Sequence, residues 1–314
     1  MTLQLTHRPD KHLELAWDGL LLFRYVYRPE IPRDESPKPY FHPIHSLAGD
    51  VLTNFRPHDH LWHHGLYMAM TDINGHNFWG GGTYVQGQGY KHLENFGCIE
   101  HQEWLVLDAG PAVFRGVESL VWIGHDGEPV LTEKRILSVP QVDPIEQVWH
   151  LTYQSELTNV RDEPLEFTSP AIKGRELAGY GGLTWRGPRS FNDGTILQAG
   201  TDIPEDYPKE GFQGMGLSAP WLAYIGKHDG TNTSSTLIFV DHPSNPRYPN
   251  KWFVLKTWVA AACFAFMFDE ALTLNEASTL RLEYEILFAN GSRSRDWIED
   301  RVAGLLLTQN PVEG

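Results

Sequence analysis

Apolar and polar residues alternate along much of this chain with the period of two that marks a half-buried strand. Residues 280–288 show it best: Leu280, Leu282, Tyr284, Ile286 and Phe288 share one face, and Arg281, Glu283 and Glu285 share the other. Runs rich in Val, Ile, Tyr, Phe and Trp predict further strands over 20–27, 66–70, 113–123, 130–139, 148–157, 222–225, 236–240 and 252–258. Asn74-Gly75, Asp126-Gly127, Asp193-Gly194, Asp229-Gly230 and Asn290-Gly291 supply turns between them. Only the tail changes period. From Ser294, a suitable N-cap, Trp297, Ile298, Val302, Leu305 and Leu306 recur at helical spacing and predict a helix over about 294–307. No strand–helix–strand alternation occurs, which argues against a doubly wound parallel sheet. The expectation is an all-β fold, an antiparallel β-sandwich with a short C-terminal helix. No linker-like stretch divides residues 1–314, so one domain is expected.

Composition narrows the class. The chain has 314 residues, of which 41% are hydrophobic, enough for a large core. Its net charge of -15 argues against a nucleic-acid partner, because phosphate binding wants a basic face. Residues 1–17 carry charges and histidines where a signal peptide needs an apolar run, and no segment is long and apolar enough to span a bilayer. The two cysteines, Cys98 and Cys263, lie in apolar strand-like surroundings and suit free thiols in a reducing compartment. A cytoplasmic protein without a membrane partner is therefore expected, and a homo-oligomer is left open. The count of 11 Trp is high; some of those rings suit the core, but exposed Trp and Tyr also suit stacking on sugar faces.

Familiar cofactor motifs are missing. Gly80-Gly81-Gly82 and Gly87-Gln88-Gly89 do not join a strand to a helix, so neither reads as a nucleotide loop. Residues 216–220 lack the second glycine of a nucleophile elbow. The informative segment is instead Arg56-Pro57-His58-Asp59-His60-Leu61-Trp62-His63-His64, which puts four of the 15 histidines within seven positions. Imidazole donates, accepts and ligates near neutral pH, so such clustering has chemical meaning. An extended backbone would send His58, His60, Trp62 and His64 one way and Asp59 and His63 the other, whereas a loop would let all converge. Two chemistries fit. In one, a histidine is a general acid or base while others bind hydroxyls. In the other, His58, His60 and His64, with Asp59, hold Zn, Mn or Fe.

Other segments add polar and aromatic groups. Tyr40, His42 and His45 lie in a proline-stiffened run, and Asn77 and Trp79 follow the Asn74-Gly75 turn, an amide beside an indole. His101 and Glu103 share a strand face if alternation is unbroken. Gly179-Tyr180-Gly181-Gly182-Leu183-Thr184-Trp185-Arg186 and Asp241-His242-Pro243-Ser244-Asn245-Pro246-Arg247 each combine glycine or proline with sugar-binding side chains. For Arg186 and Arg247, ligand contact and a structural salt bridge are equally open.

These segments carry a resemblance over most of the chain. Tyr40-Phe41-His42-Pro43, Arg56-Pro57 with Asp59-His60 and His63-His64-Gly65-Leu66, Asn77-Phe78-Trp79, residues 179–186 and Asp241-His242-Pro243 with Asn245-Pro246-Arg247 resemble the soluble "methane oxygenase PmoA-like" family of unknown function. Many relatives there carry His in place of Trp62 and Arg in place of His64, so the resemblance favours His60 and His63. Methane oxidation in a bilayer is excluded by the lack of a span. The β pattern is also similar to the galactose-mutarotase-like supersandwich, which implies carbohydrate chemistry by fold-level analogy.

The leading expectation is an enzyme acting on a sugar or an oxidised (keto) sugar, by epimerase, lyase or hydrolase chemistry. Its expected catalytic groups are His60, His63 and His242. Arg56, Asn77, Trp79, Tyr180, Arg186, Asn245 and Arg247 are expected to bind the substrate. No cofactor is expected, with a divalent metal as the alternative, and a non-catalytic carbohydrate-binding protein as the third reading.

Overall fold

The computed structural model describes residues 2–200 and 214–308. Two large sheets dominate. The first has eight strands in the order Leu3–Arg8, His12–Trp17, Leu20–Val26, Tyr40–Ile44, Leu66–Ala69, Gly182–Arg186, Ala261–Phe264 and Trp252–Leu255. The second runs Thr195–Gln198, Trp221–Lys227, Ser234–Asp241, Thr279–Asn290, Val148–Asn159, Pro129–Val139, Phe114–Ile123 and Cys98–Ala109, with Val142–Asp143 paired beside Val148–Asn159. Neighbouring strands in both sheets are antiparallel.

The inner faces meet in one apolar cluster, as alternation requires. Trp185 packs on Phe239 at 5.7 Å between ring centroids, and Phe264 on Tyr284 at 4.1 Å. Each such ring removed from water contributes about 1.5–3 kcal/mol. Leu280, Leu282, Tyr284, Ile286 and Phe288 all point into this cluster, as their alternation predicts. On the other face of the same strand, Leu287 and Ala289 lie under the C-terminal helix Arg295–Thr308, against Ile298 and Val302. The Ser294 hydroxyl caps that helix by accepting the N–H of Trp297 at 3.3 Å. Among the described residues, no helix is long and apolar enough to cross a membrane.

Two local expectations are corrected. The strand predicted over 252–258 stops at Leu255, and Trp258 leaves the sheet with 64% of its surface exposed. The shared face of His101 and Glu103 is lost because the pairing slips a residue at Gln102. Ser119 faces Glu103 while Leu120 faces His101. His101 is buried against Glu118, with Nδ1 2.7 Å from Oε1, and Glu103 is exposed.

Candidate active site

The same alternation that fills the core with Phe41, Leu66, Trp185 and Phe264 sends their neighbours to the opposite face of the eight-stranded sheet. Tyr40, Tyr67, Phe253 and Cys263 appear there as a separate cluster with Trp62, Trp79 and Tyr180. Thr184 and Arg186 alternate outward beside Leu183 and Trp185 in the same way. Loops over this face leave a cleft of about 840 Å3.

One wall is the histidine segment, and it is not extended. Phe55 bridges His64, the His60 N–H donates to the Pro57 carbonyl at 2.9 Å, and the His63 N–H donates to the His60 carbonyl at 3.1 Å. These turns stack the rings of His60 and His63, with centroids 4.8 Å apart and planes 23° apart. Behind them lies Arg186, 1% exposed, whose Nη2 donates to both Asp59 carboxylate oxygens at 3.1 and 3.3 Å. Its Nη1 sits 3.3 Å from His63 Nδ1. A guanidinium can only donate, so that nitrogen is the acceptor and His63 carries its proton on Nε2. Asp59 also faces His60, with Oδ2 3.6 Å from Nδ1, longer than a hydrogen bond.

The electrostatics follow from burial. Burial pushes the Asp59 carboxyl up, but the hydrogen bond and charge of Arg186 outweigh it and hold the group below its ordinary value. Burial lowers His60, with Asp59 opposing. His63 falls well below its ordinary value through burial, reinforced by His60 and Arg186. At neutral pH the wall therefore presents a carboxylate, a guanidinium and two neutral imidazoles. His60 Nδ1 is buried while the side chain is 39% exposed, so the rest of that ring faces solvent.

Aromatic rings form the remaining walls. Trp79 meets His63 edge-on at 5.5 Å and Tyr180 at 4.9 Å, and Tyr180 meets Phe253 at 5.3 Å. Trp62 lies directly over Gly81, where a Cβ would come within 2.6 Å of the indole, so the glycine is required for the ring to settle there. Exposed Trp258 stands at the rim. Beneath, Lys38 is fully buried and donates to the carbonyls of Glu35, Ser36 and Trp79 at 3.0, 2.7 and 2.9 Å. Burial lowers its ammonium to about 7, with Glu35 opposing.

Of the residues expected from sequence, His60, His63, Trp79 and Tyr180 line this cleft, and Arg186 supports it from below. The others are elsewhere engaged. Arg56 forms a two-pronged pair with Glu35, at 2.6 and 2.9 Å, and Glu35 also takes His64 Nε2 at 3.2 Å. Asn77 is buried and accepts the N–H groups of Trp79 and Gly80 at 2.9 Å each, which shapes the glycine loop rather than a ligand. His242 turns to the Ser244 hydroxyl at 2.6 Å, and Asn245 ties Asp241 to the Glu283 carbonyl. Arg247 caps the carbonyls of Phe266 and Ala271 at 2.9 and 2.7 Å. None of these last three lines the cleft.

The metal set His58, His60 and His64 also fails to converge. His58 Nδ1 meets Arg189 at 2.6 Å, His60 faces Asp59, and His64 is buried on Glu35. A ligand set needs its lone pairs aimed at one point, and these aim at three. Among the described residues, no three His, Cys, Asp or Glu side chains are grouped to hold a metal ion.

Sequence reasoning missed Tyr90, Arg175, Phe253 and Trp258, which line the cleft, and Lys38 beneath it. Lys38 did leave a signal, a lysine locked between Pro37 and Pro39 just ahead of Tyr40-Phe41. The other four sit in loops or on a sheet edge, where no periodicity marks a wall.

No curated protein matches the chain. Among solved structures, an α-galactosidase from Lactobacillus brevis is similar at 11% identity and a TM-score of 0.41, covering 92% of this chain and 40% of that one. An α-galactosidase from Geobacillus stearothermophilus in complex with raffinose is similar at 11% identity and a TM-score of 0.36, covering 92% and 41%. The chain thus spans about two fifths of the length of these proteins. The family match carries no methane-oxygenase description in support of the PmoA-like resemblance. Residues 12–303 match a family of unknown function, DUF6807, and the chain belongs to that family.

Proposed function

We propose that this protein is a carbohydrate-active enzyme whose cleft carries out histidine acid/base chemistry on a sugar or an oxidised sugar. The stacked His60–His63 pair, set against Asp59 and Arg186 in an aromatic-walled cleft, carries the reading. A sugar offers apolar C–H faces and a rim of hydroxyls. Indole and phenol rings match the first, and imidazole, carboxylate and hydroxyl groups match the second. His60 is the general base: it is neutral, partly exposed, and backed by a carboxylate that stabilises the imidazolium formed when it takes a proton. His63 keeps Nε2–H as a donor because Arg186 occupies Nδ1. Arg186 fixes Asp59 and His63 at once, and so acts as a positioning residue. Epimerisation, elimination and hydrolysis all draw on such a base–donor pair.

A panel of aldoses, keto-sugars and sugar acids, screened first for binding by calorimetry and then for turnover by NMR, tests the proposal. Turnover of a bound sugar that is lost in His60→Gln while binding persists is the expected result. Binding with no turnover, at an affinity that does not change between about pH 5 and 8, makes the cleft a binding site only. Lack of binding by any sugar removes the reading altogether.

A further inference from the structure

The cleft has a second polar pole on the loop that holds residues 170–178. Arg175 is exposed there and lines the cleft. Its guanidinium lies over the Tyr90 ring at 4.7 Å, and Nη1 donates to the Tyr90 hydroxyl. The Tyr90 hydroxyl in turn meets the Tyr180 hydroxyl at 2.7 Å. Arg186 has Asp59 as its ion-pair partner, whereas Arg175 has no ion pair among the described residues.

We infer that Arg175 is the anchor for a carboxylate, and that the substrate class is therefore a sugar acid, a uronate or aldonate, rather than a neutral sugar. This rests on the sugar-cleft reading above. Stacking on Tyr90 holds the guanidinium plane in place, and the bond to the hydroxyl uses only Nη1. Among the described residues nothing pairs with the Nε–Nη2 edge, and that edge suits a carboxylate in the two-pronged geometry. The Tyr90 hydroxyl accepts from Arg175 and shares a hydrogen bond with the Tyr180 hydroxyl, so the two phenols and the guanidinium form one polar group. Tyr180 packs between Trp79 and Phe253, which joins this pole to the aromatic platform in front of His60 and His63. Glu176, the next residue on the same wall, leaves too little positive charge for a dianionic phosphate. A monoanion is the better match.

Calorimetry with the matched pairs glucose and glucuronate, and galactose and galacturonate, tests this on the wild-type chain, Arg175→Met and Glu176→Gln. At least one acid is expected to bind about tenfold tighter than its neutral partner, the gain of one charge-assisted pair. Arg175→Met should erase that difference, and Glu176→Gln should widen it. Equal affinity for acid and neutral members in the wild type, or a preference that survives Arg175→Met, overturns the carboxylate anchor while leaving a sugar cleft in place. Inorganic phosphate that displaces the acid better than acetate overturns the choice of carboxylate. If neither acid binds, the carboxylate anchor falls, and the sugar reading falls only if the wider panel also fails to bind.

Discussion

Arg186 reaches Asp59 with one nitrogen and His63 with the other, at 3.1 and 3.3 Å, although 127 and 123 residues separate them in sequence. That guanidinium ties the strand Gly182–Arg186 to the histidine loop, beside the backbone bonds of Arg186 to Asn54 and Gly65.

Removing it should therefore loosen both. Arg186→Met takes the hydrogen bonds from Asp59 and from the buried His63, leaving Asp59 only the longer contacts to His60 at 3.6 Å and Arg189 at 3.9 Å, and is expected to cost about 1–3 kcal/mol of stability. Turnover should fall with it. Chemical denaturation measures the first effect, and a loss under about 0.5 kcal/mol would show that the pair does not hold the loop.

Acid should destabilise the fold through buried imidazoles. Burial lowers both His42 and His64 to about 4 in the folded chain, from an ordinary value of 6.5, with His45 adding to the shift at His42 and Glu35 opposing it at His64. Below 6.5 the unfolded chain takes up protons that the folded chain refuses, so stability is full above that value and falls as pH drops. Each group contributes about 1.4 kcal/mol per pH unit across the window from 6.5 to about 4. Urea titrations at stepped pH read the slope, and His64→Gln should reduce it. An unchanged slope in that variant would remove His64 from the account.

The pH profile of turnover should show an acid limb below the ordinary histidine value, because burial lowers His60 and protonation removes its base. Activity falls as pH falls. An acid limb that persists in a residually active His60→Gln variant would assign the limb to another group.

Gly81→Ala puts a methyl within 2.6 Å of the Trp62 indole, at a backbone φ of +65°. Overpacking of this kind is expected to cost about 1–3 kcal/mol and to push Trp62 off its platform. Sugar affinity and Trp fluorescence should change together. Retained affinity would mean that Trp62 is not a binding surface.

His58→Ala should leave stability within about 0.5 kcal/mol and turnover unchanged, because His58 is exposed and bonds to Arg189 on the outside of the loop. A large loss of turnover would return His58 to the site.

Much of the fold was legible because burial on a sheet has a period of two. Leu280 to Phe288 declares its inner face by composition alone, and Ser294 marks the start of the helix. Strands such as Leu3–Arg8 and Ala261–Phe264 were not separable this way. The first is an edge strand with little buried surface, and the second is apolar on both faces because it has the core on one side and the cleft on the other.

The histidine segment shows where local pattern stops. Its sequence determined that imidazoles, a carboxylate and an indole would be close in space, because they are close in the chain. Which of them would work together depended on turns at Pro57 and His60 that override alternation, and on partners more than a hundred residues away. Local turns stacked His60 on His63, and tertiary structure alone sent His58 to Arg189 and His63 to Arg186. It also buried His64 on Glu35, where the sequence showed only four similar side chains. The physical reason is range. Side-chain alternation is set by the local backbone, whereas the pairing of buried charges is set by whichever strands the sheet order brings together.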